Sequence, residues 1–301
     1  MTINKLLTLI AICLLSFSCE DVVQIDVPSE DPRLIVNAVL RVDESEEFVP
    51  VEVSVTETSA FFGETPVTNV ESAVIFYGVP LEDQPDLFES IFVSNLTEVD
   101  PGSGILVPDP NFSGDQRIRT QNVTPNTDFI LLITFQDREY AARTTYQQAV
   151  PFDDVRQGDE ILFDEDDIEI EITITDTPDV RNFYILDFDF GEFLALDDEF
   201  FDGQQFQFSY FYEQDLQPGS EVEISILGAD QDFFNYVDLI VEQTQDDGGV
   251  FETPAATVRG NIFDVTDLDN IFVFDNVQQP EVFPLGYFAV VQEFRQTLTI
   301  E

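Results

Sequence analysis

Apolar and polar positions alternate with a period of two along most of this chain. Val49, Val51, Val53 and Val55 fall on one face of a segment whose other face is Pro50, Glu52 and Ser54. Ile168, Ile170, Ile172 and Ile174 alternate with Glu169, Glu171 and Thr173 in the same way. Strict alternation is the signature of a strand with one buried face. The run Leu34 to Leu40 and the segments Ser72–Tyr77, Phe88–Val93, Phe129–Phe135 and Glu139–Thr145 are further expected strands. Later ones are centred on Tyr184-Leu186-Phe188-Phe190, on Phe206-Phe208-Tyr210-Tyr212 and on Val222-Ile224-Ile226. Residues 282–300 read as a closing strand or strand pair. Pro, Gly, Asn and Asp clusters separate these segments, and the stretch from Leu96 to Gly114 is dense enough in them to read as a long loop.

Helical spacing enters once, near residues 230–247. Phe233, Val237, Ile240, Val241 and Thr244 recur at that period, with Asp230 as N-cap, Asp232 in the first turn and Gly248-Gly249 as the stop. The pattern predicts an all-β protein with one short helix, arranged as two β-sandwich-like domains. The expected divisions are residues 33–147 and 148–301, split where residues 147–160 lose the strand pattern.

The first residues follow a different rule. Lys5 precedes the apolar run Leu6 to Phe17, which is short of the roughly 20 residues a membrane-spanning helix needs. Cys19 closes this run after the small residue Ser18. Residues 1–18 thus read as a lipoprotein signal peptide, with Cys19 as the lipid-attachment residue. Residues 19–32 read as anchor and tether, and 13 residues at ~3.5 Å each reach tens of ångströms from a bilayer. Dual or triple acylation at Cys19 is enough for stable anchoring. Cys13 would leave with the signal, so no disulfide is expected within the remaining chain.

Charge narrows the partners. The chain has 61 acidic and 11 basic residues, a net charge of -50, and its only lysine is Lys5. Such a chain repels nucleic acid and anionic headgroups. Acids run from Glu20 to Glu301 without a block, which points to adaptation to salt, where a Debye length of about 3 Å at 1 M screens self-repulsion. A functional acidic patch is the alternative reading.

Missing residue types exclude chemistry. With no His and no Lys beyond the leader, His-based triads, His metal ligands, Schiff-base lysines and P-loops are out. No catalytic residue, cofactor or dedicated metal ligand is expected. Carboxylate pairs for a glycosidase occur among Glu165, Asp166, Asp187, Asp189, Glu192, Asp197 and Asp198, at the frequency that chance gives so acidic a chain. Loops such as Asp264 to Asn270 or Asp164 to Asp167 offer oxygen ligands for calcium, or are solvated acidic loops. The stripe ending at Tyr210 and Tyr212 is either a ligand platform or a core face. Phe200 and Phe201, flanked by acids, are a candidate partner contact if exposed.

The Cys-Glu leader, Leu34-Ile35-Val36-Asn37-Ala38, the helix Asp232-Phe233-Phe234-Asn235-Tyr236-Val237, Val258-Arg259-Gly260-Asn261-Ile262 and Leu285-Gly286-Tyr287-Phe288 occur in this order. Together they resemble the Bacteroidetes outer-membrane lipoproteins classed as domain of unknown function 4249. The resemblance implies an immunoglobulin- or transthyretin-like first part. It also implies a lipid-anchored surface protein of the outer membrane in company with a TonB-dependent transporter, and Glu20 and Asp21 after Cys19 partly match the acidic run that marks export to the outer face. It brings no catalytic residues. The expected role is a non-enzymatic accessory or ligand-capturing partner of such a transporter, with a calcium-ordered structural or adhesive surface protein as the alternative.

Overall fold

The computed structural model describes residues 32–58, 68–160, 168–212, 216–244, 258–266 and 283–301. The expected signal, Cys19 and most of the tether lie outside these residues, as do Asp164 to Asp167, Gly248 and Gly249. In chain order the strands are β1 (Leu34–Val42), β2 (Val53–Glu57), β3 (Ser72–Gly78), β4 (Pro80–Leu81), β5 (Gln84–Phe88), β6 (Phe92–Glu98), β7 (Ile105–Pro108), β8 (Asp128–Phe135) and β9 (Arg138–Thr145). They continue with β10 (Phe152–Gln157), β11 (Ile168–Thr175), β12 (Phe183–Asp187), β13 (Phe193–Asp197), β14 (Gln205–Tyr212) and β15 (Glu221–Ala229). Helix α1 (Gln231–Thr244) then precedes β16 (Ile262–Asp264) and β17 (Leu285–Thr299). The protein is all-β and sandwich-like with one α-helix among the described residues. That helix is too short to cross a membrane.

Strand β17 organises the molecule. Its first half pairs parallel with β1, Ile35 opposite Leu285 through Val42 opposite Gln292. Its second half pairs antiparallel with β15, Leu227 opposite Glu293 through Glu221 opposite Thr299. A twelve-stranded sheet results, in the order β13-β12-β15-β17-β1-β2-β7-β6-β3-β8-β9-β16. The strands before and after residues 147–160 therefore share a sheet, and what divides there is the core. One cluster gathers Val36, Leu40, Val53, Ile75, Leu106 and Leu131 with Phe288 and Val290. A second gathers Ile170, Ile172, Tyr184, Phe188, Tyr212 and Ile224 beneath a three-stranded sheet, β10-β11-β14. A third lies under α1 and takes Tyr287, Ala289 and Val291 from the opposite face of β17. Burial on both faces explains why Gly286 to Val291 reads as a continuous apolar run and not as an alternation.

Some expectations change. The segment Phe88–Val93 is two strands, because β5 ends at Phe88 and β6 begins at Phe92. The stretch 96–114 is not a continuous loop. It contains β7, which lies between β2 and β6 with Leu106 opposite both Val53 and Glu98. Val49 and Val51 are buried as their alternation requires, although the strand itself begins at Val53. Phe190, assigned to the inner face of β12, lies past that strand's end and is 54% exposed.

Candidate functional site

Helix α1 starts where its sequence says it should. The Asp230 carboxylate accepts a hydrogen bond from the Phe233 amide at 2.7 Å, an N-cap interaction worth about 1 kcal/mol. Its burial pushes this carboxyl above the ordinary aspartate range, although the backbone bonds pull the other way. The helix docks through Phe233, Phe234, Tyr236 and Val237. Ring centroids are 5.0 Å apart for Phe233–Tyr287, 4.9 Å for Tyr236–Tyr287 and 5.1 Å for Phe183–Phe234. Ile240, expected on the packed face, is 37% exposed beyond this contact.

Two of the other segments close on the same place. Asn261 turns its side chain against β17 as if it were a neighbouring strand. Its Nδ2 donates to the Phe288 carbonyl at 2.8 Å, and the Phe288 amide donates to its Oδ1 at 2.8 Å. This draws the backbones so close that a Cβ on Gly260 would stand 1.6 Å from the Gly286 carbonyl oxygen. Gly286 itself has φ +92°, and a Cβ there would stand 2.0 Å from the Val36 oxygen in β1. Only glycine meets both demands. The segments around Val36, Phe233, Asn261 and Phe288 are thus one assembly.

A pocket of about 550 Å³ opens over this assembly. Asp232, Asn235, Tyr236 and Leu239 line it from α1, Arg143 from β9, Phe263 from β16, and Arg259, Gly260, Asn261 and Tyr287 complete it. The Arg259 guanidinium lies 3.6 Å from the centroid of the Phe283 ring. Arg143 donates from Nε to Asp128 at 3.0 Å, and its Nη2 donates to Asp128 at 2.5 Å and to the Pro85 carbonyl at 3.1 Å. Burial raises the phenol pKa of Tyr287 and of Tyr236 above the ordinary value near 10, so both hydroxyls keep their protons well beyond neutral pH. A volume of this size suits a small molecule.

The surface residues expected from sequence divide. Phe200 is 88% exposed at the tip of a turn. Phe201 is 5% exposed, because its amide closes the turn onto the Asp198 carbonyl at 2.9 Å and its ring stacks on Phe206 at 4.3 Å. Tyr212 is fully buried and donates its hydroxyl to the Phe188 carbonyl at 2.6 Å. Tyr210 is half-buried, stacked on Phe188 at 3.6 Å, with its hydroxyl on Glu192. The stripe is a core face, and Phe201, Tyr210 and Tyr212 do not form a surface with Phe200.

Oxygen ligands converge at a place the sequence did not single out. Carboxylate oxygens of Asp176, Asp198 and Asp202 lie within 4.8 Å of one another. Hydrogen bonds inside the fold account for each. Asp176 accepts from the Tyr184 hydroxyl and, at 2.9 Å, from the Gly203 amide. Asp198 accepts from the Asn182 amide at 2.8 Å, and Asp202 from the Asp179 amide at 3.0 Å. The three carboxylates tie the 176–182 loop to the 198–203 turn. In the loop expected to offer calcium ligands, Asp264 pairs with Arg138 and accepts from the Thr266 amide at 3.0 Å, and residues 267–270 lie outside the described residues.

No curated protein matches the chain. Among solved structures, the crystal structure of red sea bream transglutaminase aligns with 68% of this chain and 30% of its own length, at 8% identity and a TM-score of 0.22. The chain spans under a third of that protein, and so distant a likeness carries no inference about fold or activity. The family model for the Domain of unknown function (DUF4249) matches residues 20–272, an interval that holds β1, α1 and the Arg259–Asn261 segment. The chain belongs to this family.

Proposed function

We propose that this protein is a non-enzymatic, lipid-anchored surface protein of the outer membrane that captures a ligand beside a TonB-dependent transporter. The observation that carries the reading is the pocket against α1. It is built by four chain segments held in fixed register, and glycine contacts and the Asn261 bonds keep its walls rigid. Among the described residues its lining offers one carboxylate, Asp232, where hydrolysis of a glycoside requires two. A rigid pocket with aromatic walls and a few directed polar groups is the usual form of a binding site. Cys19 would hold the protein to the membrane, and residues 20–32 would give it reach.

The test is to purify the lipidated protein from its own membranes in high salt and identify what accompanies it by mass spectrometry. A stoichiometric transporter is expected. Repeated recovery without one overturns the partnership. A Cys19→Ser variant is expected to leave the membrane fraction, and its retention there would remove the anchor from the reading.

A further inference from the structure

We propose that Phe200 and Val180 form a docking knob for a protein partner whose surface offers an apolar socket rimmed by lysine or arginine. The inference rests on the reading that this chain works beside another protein, and it names the face that meets it.

The first ground is exposure on a rigid base. Phe200 is 88% exposed, while the other exposed large apolar residues among those described lie between 37% and 56%. A ring left so open supports none of the three cores. Its base is fixed. The Phe201 amide bonds the Asp198 carbonyl at 2.9 Å, the Gln204 amide bonds the Phe201 carbonyl at 2.8 Å, and the Phe201 ring stacks on Phe206. The turn is also tied to the 176–182 loop. The Asn182 amide donates to Asp198, the Asp179 amide to Asp202 and the Gly203 amide to Asp176. A Cβ on Gly203, whose φ is +65°, would stand 2.6 Å from the Pro178 Cβ. These ties run antiparallel, 178 beside 203, 179 beside 202 and 182 beside 198, so Val180 comes opposite Phe200 and Phe201. Val180 is 52% exposed. Two apolar side chains thus stand on a double loop that is ordered before any partner arrives, which spares a complex the cost of ordering it.

The second ground is charge. On the same two loops Asp179, Glu199 and Asp202 are exposed and Asp197 is half-buried. The basic residue of these loops, Arg181, is already paired, with Asp197 at 3.1 Å and Glu199 at 3.9 Å. Buried Asp176 and Asp198 add the same sign beneath them. Such a rim opposes a second copy of this chain, which would bring the same acids, and opposes insertion of the ring among anionic headgroups. A basic rim complements it. The chain is acidic nearly throughout, so the ring locates the face and the carboxylates set the sign of the partner.

The experiment is photo-cross-linking in native membranes, with the full lipidated chain carrying Phe200→p-benzoylphenylalanine or Val180→p-benzoylphenylalanine. Val99→p-benzoylphenylalanine, at another exposed position, is the control. One protein adduct is expected from positions 200 and 180 and not from 99. Mass spectrometry is expected to map the cross-links to apolar residues of that protein with lysine or arginine beside them. Phe200→Ser is expected to leave the melting temperature unchanged, since so open a ring supports no core, and to lower the adduct yield from position 180 at least about tenfold, as loss of an aromatic anchor does. Asp179→Asn with Glu199→Gln is expected to lower that yield severalfold in about 0.1 M NaCl and to leave it unchanged in about 1 M NaCl. An adduct to lipid, a cross-linked pair of this chain, an adduct shared with position 99, or none at all overturns the docking face. A yield indifferent to the charge variant at both salts overturns the basic rim. If no adduct forms while a transporter still co-purifies, this face falls and the partnership stands. An adduct to a protein that is not a transporter keeps the face and removes the transporter as its partner.

Discussion

The two cores joined by β17 solve the same packing problem with different chemistry. The core of β1, β2, β3 and β8 is aliphatic at its centre, with Val36, Leu40, Val53, Ile75 and Leu131, and buries Tyr77, Tyr140 and Tyr146 around them. The core of β11, β12, β14 and β15 is filled around Phe188, Tyr184 and Tyr212. The two tyrosines bring hydroxyls with them, and each is satisfied, Tyr184 by Asp176 and Tyr212 by the Phe188 carbonyl. An aliphatic core fails only through cavities, while an aromatic core with buried phenols also fails through lost hydrogen bonds. A chain with no expected disulfide thus gains rigidity at the centre of its second core from polar anchors, and becomes sensitive to pH there, as it does around Tyr146 of the first core, whose hydroxyl bonds Glu44.

The largest expected effect sharpens that contrast. Phe188→Ala removes a fully buried ring stacked 3.6 Å from Tyr210 and is expected to cost about 3–5 kcal/mol. Ile75→Val in the aliphatic core, also fully buried, is expected to cost about 0.5–1.5 kcal/mol. Urea denaturation in molar salt measures both, and equal losses would show that the aromatic core repacks.

Legibility from sequence follows the same line. Strands with one wet face, such as β11 with its four isoleucines, announce themselves by alternation. Strand β7 does not, because its four residues, Ile105–Pro108, sit among Pro and Gly and become a strand only by filling the gap between β2 and β6. Strand β10 hides for another reason: it is a sheet edge with a register shift at Phe152–Asp154, and only Val155 is buried. The helix and its N-cap were readable because Asp230 and the apolar period are local. The pocket was not, since Arg143, Arg259 and Tyr287 are brought together by strand pairings and no local spacing joins them. One signal could have pointed there: in a chain with so few basic residues, each arginine is worth asking about.

A smaller effect tests the seam between the cores. Arg41 in β1 donates to Asp187 in β12 at 2.6 Å and to Glu293 in β17 at 3.2 Å. Arg41→Met leaves Asp187, whose side chain is 15% exposed, without its cation, while Glu293 keeps Arg295 at 3.4 Å. The expected loss is about 2 kcal/mol, reduced from the figure for a fully buried pair because Arg41 is 31% exposed. Thermal melts that show the same loss at low and molar salt would place the interaction in the packing of the arginine stem and not in its charge.

Tyr184→Phe separates the phenols from the packing. It keeps the ring and removes the donor to Asp176, for an expected cost of about 1–3 kcal/mol. The pH dependence has a defined sign. Burial, with the Asp176 bond and charge adding to it, raises the Tyr184 pKa above the ordinary value near 10, and burial does the same to Tyr212. Their contribution is complete below about pH 10 and is lost as pH rises beyond it, at up to ~1.4 kcal/mol per pH unit for each tyrosine. Stability measured from pH 8 upward is expected to be flat and then to fall, and the Tyr184→Phe protein to fall less steeply.

The smallest effect decides what the second half's acidic trio is for. Asp202 is the exposed member, and its Oδ1 accepts from the Asp179 amide, a bond that asparagine retains. With nothing but hydrogen bonds holding the trio, Asp202→Asn removes a like charge within 4.8 Å of two buried carboxylates and is expected to stabilise by about 0.5 kcal/mol. The gain grows as salt is lowered, because screening no longer hides the repulsion. A calcium ion held by the three carboxylates reverses the sign, since the same substitution then removes a ligand, and stability should fall in calcium but not in sodium chloride of matched ionic strength. A melting series in the two salts reads that sign directly. Stabilisation in both leaves these carboxylates as ties between a loop and a turn, and destabilisation confined to calcium makes the second half an ion-ordered structure whose anchors are metal bonds as well as phenols.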